Sequence, residues 1–245
     1  MTKIGFFDSG IGGLFIMDTV AKEVPGPSYY YISDDAFFPY GSKTEKQIIE
    51  RSNFLTEVLL KEGIRHIVVA CNTATAVAID LLREKYPQVN FIGVEPYINI
   101  INKEEDKAHE IAVLVTPSTA TSSRFLKLKK RLDPKDLVDV VPLENLAALA
   151  EEIFYKGESP TLVKKVEEEL SSIKGHYHHV ILGCTHYLHV EKIISDILGA
   201  ICISPATAIA NRVKDKIGDI PKGQNDKYRF LSTSKNIWQD KSFSN

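Results

Sequence analysis

Two stretches of this chain are near copies of each other. "HIVVACNTAT" (His66–Thr75) and "HVILGCTHY" (His179–Tyr187) each read as a histidine, an apolar run, a small residue, a cysteine, then polar residues with threonine. A second echo lies upstream. "IGFFD" (Ile4–Asp8) has its counterpart in "IAVLV" (Ile111–Val115), each followed by a small-polar loop, "SGIGG" or "TPSTATSS". The offset is 107 positions between those strands and 113 between Cys71 and Cys184. Two half-chains of like design, each with a cysteine at a strand end, constrain the architecture more tightly than any compositional figure.

The rest of the chain alternates short β-branched or aromatic runs with longer amphipathic ones. Strands are expected at Lys3–Phe7, Ser28–Ser33, Arg65–Ala70, Asn90–Val94, Glu110–Val115, Leu137–Val141, His178–Gly183 and Ala200–Ile203. "TEKQIIERSNFLTEVLLKEG" places Ile48, Leu55 and Leu59 on one helical face and closes on Gly63. A further helix begins after Cys71, with Asn72 or Thr73 as its N-cap, and ends near Tyr86–Pro87. Nearly continuous apolar strands alternating with helices indicate parallel sheets covered on both faces, hence an α/β fold. Ligands of such sheets bind beyond the carboxyl ends of the strands. If the halves face each other about a pseudo-twofold axis, both cysteines look into one cleft. The charged stretch Asn102–Glu110 reads as a solvated connection near the boundary between them.

Composition excludes several classes of function. With 30 basic and 32 acidic side chains the net charge is −2, so the chain carries no nucleic-acid footprint and no basic patch for a membrane surface. No apolar run approaches the roughly 20 residues that cross a bilayer, and "MTKIGFFDSG" lacks a signal-peptide core. Three widely spaced cysteines argue against a disulfide framework and for a reducing, cytoplasmic setting.

A cysteine between a strand and a helix sits where backbone N–H groups and the helix dipole favour an anion. The dipole supplies at most ~2 kcal/mol, so such a thiol is expected to be partly ionised near neutral pH. That suits a pair in which one sulfur is base and the other acid, with the roles exchanged in reverse. Taken singly, either cysteine reads as a small buried hydrophobe; the matched pair favours catalysis. "DSGIGG" (Asp8–Gly13) lets a ligand approach backbone N–H groups, but it lacks the Walker ending and matches no dinucleotide fingerprint. Asp8 beside those donors fits a ligand bearing both an ammonium and a carboxylate; an ordinary strand-to-helix turn is the competing reading. "DDAFFPYGSKT" is either a lid, with the Tyr40 hydroxyl and Gly41 N–H as contacts, or a packed surface turn. His176, His178, His179, His186 and His189 crowd near Cys184 but match no zinc spacing. His178 and His179 read as surface or packing residues, His186 as a proton relay to Cys184, and Glu167–Glu169 as a solvated helix face.

Laid out in order, these motifs resemble the glutamate racemases of the cofactor-independent aspartate/glutamate racemase superfamily. The matching pieces are Asp8-Ser9-Gly10, Pro39-Tyr40-Gly41, Cys71-Asn72-Thr73, "GVEP" (Gly93–Pro96), Thr116 and Thr119 in "VTPSTATS", and Cys184-Thr185-His186-Tyr187. They span nearly the whole chain. The resemblance implies two pseudo-symmetric α/β domains, residues 1–96 plus 207–245 and residues 97–206, each a mainly parallel sheet flanked by helices, with glutamate bound in the cleft between them. It implies that Cys71 deprotonates D-glutamate with help from Asp8, and that Cys184 deprotonates L-glutamate with help from His186. Ser9, Tyr40, Gly41, Asn72, Thr73, Thr116, Thr119, Thr185, Asp8 and His186 would hold the substrate. No cofactor or metal is implied; a homodimer and supply of D-glutamate for peptidoglycan are. Departures are Leu188 where a proline is usual, Ser204 where an aspartate is common, and "VPLEN", which sets Glu144 one residue early for orienting His186. The alternatives are a racemase of aspartate or another acidic amino acid, and a non-catalytic amino-acid-binding relative. A single-cysteine hydrolase would leave the second thiol without a purpose.

Overall fold

The computed structural model of the protein describes residues 2–99, 110–218 and 227–241. The charged stretch after Asn102 therefore lies, apart from Glu110, outside the described residues. The first half runs β1 (Lys3–Asp8), α1 (Gly12–Glu23), β2 (Ser28–Ser33), α2 (Glu45–Lys61), β3 (His66–Val69), α3 (Asn72–Lys85) and β4 (Asn90–Gly93). The second runs β5 (Ile111–Val115), α4 (Pro117–Thr121), α5 (Ser123–Leu132), β6 (Val138–Pro142), α6 (Leu146–Lys156), α7 (Pro160–Leu170), β7 (His179–Leu182), α8 (Glu191–Leu198) and β8 (Ile201–Ile203). The chain ends with α9 (Ala206–Ile217), β9 (Tyr228–Ser232) and β10 (Ile237–Lys241). All eight expected strands are present, with ends shifted by a residue or two.

Two sheets result, ordered β10-β9-β2-β1-β3-β4 and β6-β5-β7-β8. Apart from antiparallel β10, every pairing is parallel. The inner order 2-1-3-4 is thus repeated as 6-5-7-8, which is the duplication that the two cysteine segments announced. Register makes the equivalence residue by residue. Phe7 lies opposite Val69 in one sheet and Leu114 opposite Leu182 in the other. Cys71 and Cys184 each follow two residues later, and so do Ser9 and Thr116. Asp8 matches Val115, so the carboxylate belongs to the first half alone.

Side-chain alternation explains why the strands are buried on both faces. Along β1, Ile4 and Phe6 enter a central core, whereas Phe7 enters an outer core with Ile48, Leu55 and Leu59 of α2. The central core also takes Ala112 and Leu114 of β5 and Val180 and Leu182 of β7, so it is shared by both halves, while Ile111, Val113 and Ile181 face a third core. Helix α2 starts on a Thr44–Gln47 capping box and is followed by Gly63 at φ +76°. Strands β9 and β10, which lie outside the sequence expectation, extend the first sheet beyond β2. Aromatic cross-strand pairs dock them: Tyr29 stacks on Tyr228 at 5.4 Å and Tyr31 on Phe230 at 5.6 Å. Among the described residues no helix is long and apolar enough to cross a membrane.

Candidate active site

The carboxyl ends of β1, β3, β5 and β7 converge where the two sheets meet. Asp8, fully buried at the end of β1, accepts from Ser9 N–H at 2.6 Å, Gly13 N–H at 2.5 Å and, across the halves, the Thr185 hydroxyl at 3.1 Å. The "DSGIGG" turn is held from behind by the Tyr31 hydroxyl, which donates to Gly10 C=O at 2.7 Å. Its glycines are sites of close approach. A Cβ on Gly12 would lie 2.6 Å from His186 Nδ1 and 2.7 Å from the His186 backbone nitrogen, and one on Gly10 would lie 2.5 Å from Glu151.

Cys71 lies past the end of β3, 4 % exposed, with its sulfur 3.9 Å from the Ser9 hydroxyl. It is the N-cap of α3: the sulfur accepts from Ala74 N–H at 3.5 Å. This corrects the expectation of an Asn72 or Thr73 cap; because Cys71 is still extended, its own side chain meets a free N–H of the first helical turn. The thiol is nonetheless pushed well above its ordinary range, by burial first and the Asp8 charge second. The partly ionised thiol expected from the helix dipole alone is therefore overruled at Cys71 by desolvation. Burial also raises the Asp8 carboxyl, although His186, Cys71 and the Ser9 and Gly13 amides pull it down. Burial thus favours the neutral form of both neighbouring acids.

On the other side Cys184, 7 % exposed, lies 4.0 Å from His186 Nδ1, and His186 Nε2 lies 2.9 Å from Glu151 Oε2. Burial alone would lower the basicity of this imidazole, but its contacts with Cys184 and Glu151 and the Asp8 charge raise it well above 6.5. Glu151, on α6, also accepts from Ile11 N–H at 3.2 Å, tying the turn of the first half to the second. The sequence reading missed Glu151 and pointed to Glu144 instead. Glu144 is exposed ahead of α6, and the carboxylate against His186 is that of Glu151, two helical turns along.

A ring of hydroxyls joins the two halves near Cys71. Thr73 Oγ1 is 3.0 Å from Thr116 Oγ1 and 3.4 Å from Thr119 Oγ1, and Thr116 donates to Thr119 at 3.0 Å. The expected "TPSTATSS" loop is in fact α4 and the start of α5, capped by Thr116 and Ser122. Gly41 lies against Thr116, whose Cβ would be 3.3 Å from a Gly41 side chain. The Asn72 side chain is 3 % exposed and neither its nitrogen nor its oxygen has a hydrogen-bond partner. An unsatisfied buried amide on the first residue of α3 is costly unless a ligand completes it. The Tyr40 hydroxyl donates to Asp34 at 2.6 Å. His176 and His178 are exposed and His179 is buried in β7. Among the described residues no group of three His, Cys, Asp or Glu side chains is placed to hold a metal.

The sequence pattern of the Asp/Glu/Hydantoin racemase family matches residues 15–213. Glutamate racemase 2 of Bacillus subtilis is 33% identical over 221 residues, covering 89% of this chain and 82% of that one. The glutamate racemase of Aliarcobacter butzleri is 37% identical over 219 residues, covering 86% and 82%. Among solved structures, Escherichia coli glutamate racemase in complex with L-glutamate and the activator UDP-MurNAc-ala aligns with a TM-score of 0.82 at 28% identity, covering 94% of this chain and 88% of that one.

Proposed function

The chain belongs to the Asp/Glu/Hydantoin racemase family, and from that premise we propose that it is a glutamate racemase working by two-base proton transfer between Cys71 and Cys184. The observation that carries this reading is the placement of two equivalent buried thiols at equivalent strand ends, each with a different helper: Asp8 for one and His186 for the other. The curated relatives with glutamate racemase activity support the choice of substrate.

Glutamate brings an ammonium group to this site. Its ammonium beside Asp8 favours the carboxylate and relieves the charge that holds the Cys71 thiol neutral. The α-proton is weakly acidic because the adjacent carboxylate is already an anion, so the developing carbanion depends on donors aimed at that carboxylate. Asn72, Thr73, Thr185 and Ser9 are assigned to the ammonium and α-carboxylate, and Gly41, Tyr40, Thr116 and Thr119 to the distal carboxylate. Cys184 as thiolate, paired with the His186 imidazolium, takes the proton from L-glutamate, and the Cys71 thiol delivers one to the opposite face. The D-to-L direction runs the same steps backwards. The asymmetry of helpers fits a reaction that presents a different hydrogen to each sulfur.

The reading carries with it domains of residues 1–96 plus 207–245 and residues 97–206, supported by β9 and β10 joining the first sheet. Supply of D-glutamate to peptidoglycan, a cytoplasmic location and a homodimer are supported by the family resemblance alone. The test is incubation with L-glutamate in D2O without added cofactor, followed by optical rotation and the α-proton NMR signal. Racemisation with α-deuteration, lost in both Cys71→Ala and Cys184→Ala, is expected. No exchange with either enantiomer of glutamate in folded, reduced protein would sink the assignment, and aspartate would be tried next.

A further inference from the structure

Asp34 follows β2, is fully buried, and gathers contacts from four parts of the chain. Its N–H donates to Asp8 C=O at 2.8 Å, so it abuts the backbone of a candidate catalytic residue. One carboxylate oxygen accepts from the Tyr40 hydroxyl at 2.6 Å and from Arg51 Nε at 2.9 Å. The other accepts from Arg51 Nη2 and from the Thr233 hydroxyl at 2.9 Å. Arg51 is in turn stacked on Phe37 at 5.4 Å and on Phe54 at 4.7 Å.

Thr233 lies in the turn between β9 and β10, and that turn also takes Asp35. Ser234 donates to Asp35 through its N–H at 2.9 Å and its hydroxyl at 2.8 Å, and Ser232 donates at 2.5 Å. Both acids that open "DDAFFPYG" are thus held by residues about two hundred positions away. A buried ion pair is a poor way to add stability, since desolvation consumes much of the Coulomb gain. What the arrangement does supply is direction. A bidentate guanidinium and two hydroxyl donors fix one carboxylate, and that carboxylate fixes the Tyr40 ring whose backbone leads into Gly41 against Thr116.

We propose that Asp34, clamped by Arg51 and Thr233, positions the Tyr40–Gly41 turn for the distal carboxylate of the substrate, which makes the C-terminal hairpin a working part of the site. Thr233 is a positioning residue that acts through Asp34. The inference rests on the racemase reading for the identity of the substrate. A contact to the distal carboxylate is the same in the ground and transition states, so disturbing it raises KM and spares kcat. Loss of a merely structural prop lowers the active fraction, and hence kcat, at unchanged KM.

The experiment compares full-length wild type, Thr233→Val, Thr233→Ser, Tyr40→Phe and the Thr233→Val/Tyr40→Phe double variant with both enantiomers of glutamate. Loss of one hydrogen bond to a buried charge predicts that Thr233→Val raises KM about fivefold to tenfold with kcat within about twofold. Thr233→Ser restores KM, and the double variant is no more than about twofold worse than the worse single, because both act on one carboxylate. An unchanged KM with reduced kcat overturns the proposal, and so do fully additive losses, which would mean that the Tyr40 hydroxyl meets substrate itself. Hydrogen exchange over residues 37–43, past Ala36, whose N–H donates to the Thr233 hydroxyl at 3.2 Å, gives a readout independent of turnover. Faster exchange there in Thr233→Val, at unchanged thermal stability, supports positioning; wild-type protection overturns it. Wild type that fails to turn over glutamate while Thr233→Val loosens this segment refutes the substrate reading and leaves the positional one standing.

Discussion

Replacing Glu151 by Gln tests which face of the substrate His186 serves. In the wild type Glu151 Oε2 sits 2.9 Å from His186 Nε2, with side chains only 12% and 3% exposed. At an effective dielectric of about 20, opposite unit charges at that distance attract by at most ~6 kcal/mol. Gln removes the charge but retains shape and an acceptor for both His186 and the Ile11 N–H. The net loss is therefore nearer the difference between a charge-assisted and a neutral hydrogen bond, about 1.5–2 kcal/mol. That corresponds to a fall of about tenfold to thirtyfold in kcat/KM. Mirror-image substrates have equal free energy, so the fall is the same for L- and D-glutamate whichever face is damaged. The α-deuterium isotope effect on kcat/KM separates the faces. If His186 and Glu151 support Cys184, proton transfer at that sulfur becomes more rate-limiting. The isotope effect then rises for α-deuterated L-glutamate and falls for the D-enantiomer. A change in the opposite sense would mean that His186 serves Cys71. Equal effects for the two enantiomers, as in wild type, would reduce Glu151 to a structural link between the halves.

Gly12→Ala inserts a methyl where the His186 backbone nitrogen, at 2.7 Å, and Thr185 Oγ1, also at 2.7 Å, already stand. The halves must part, and overpacking of this kind costs about 1–3 kcal/mol; a large loss of kcat/KM with a lowered Tm is expected, and wild-type kinetics would refute the close approach. Stability should also depend on pH through His186. Its folded-state basicity is raised above 6.5, so the folded protein keeps a proton that the unfolded chain has released. The stabilisation is complete below about 6.5 and is lost as pH rises through the folded-state value. The Asp8 carboxyl acts in the same sense from 3.8 upward and the Cys71 thiol only from 9.0 upward. Thermal melts of substrate-free protein between pH 6.5 and 9 should show Tm falling, and His186→Asn should flatten the slope; an undiminished slope would contradict the raised basicity.

Much of the site was written in local signals. Cys71 and Cys184 end apolar runs that form strands in any parallel sheet, Asp8 ends another, and the threonines sit in the turns that follow. The repeated order of these signals was enough to indicate two like halves. Thr116 and Thr119 are named by the family resemblance, and the structure brings them within hydrogen-bond reach of Thr73. Glu151 was not legible, because nothing within its own helix distinguishes it from its acidic neighbour Glu152. The hairpin from Tyr228 lies outside the sequence expectation because its two strands are short and mixed in polarity. Their assignment depends on aromatic pairing with β2, far away in the chain.

Hydrophobic periodicity and strand-end chemistry are properties of neighbouring residues, so the α/β class, the duplication and the identity of both thiols were determined by the sequence alone. What the tertiary structure decided was the surroundings of those groups. Burial beside Asp8 pushes the Cys71 thiol up where its own helix would bring it down, and Glu151 rather than Glu144 faces His186. Asp34 takes the Tyr40 hydroxyl as a donor. Charge states and hydrogen-bond partners depend on solvent exclusion and on distances of a few ångströms between segments more than a hundred residues apart. Those distances exist only once both halves have packed on their common core.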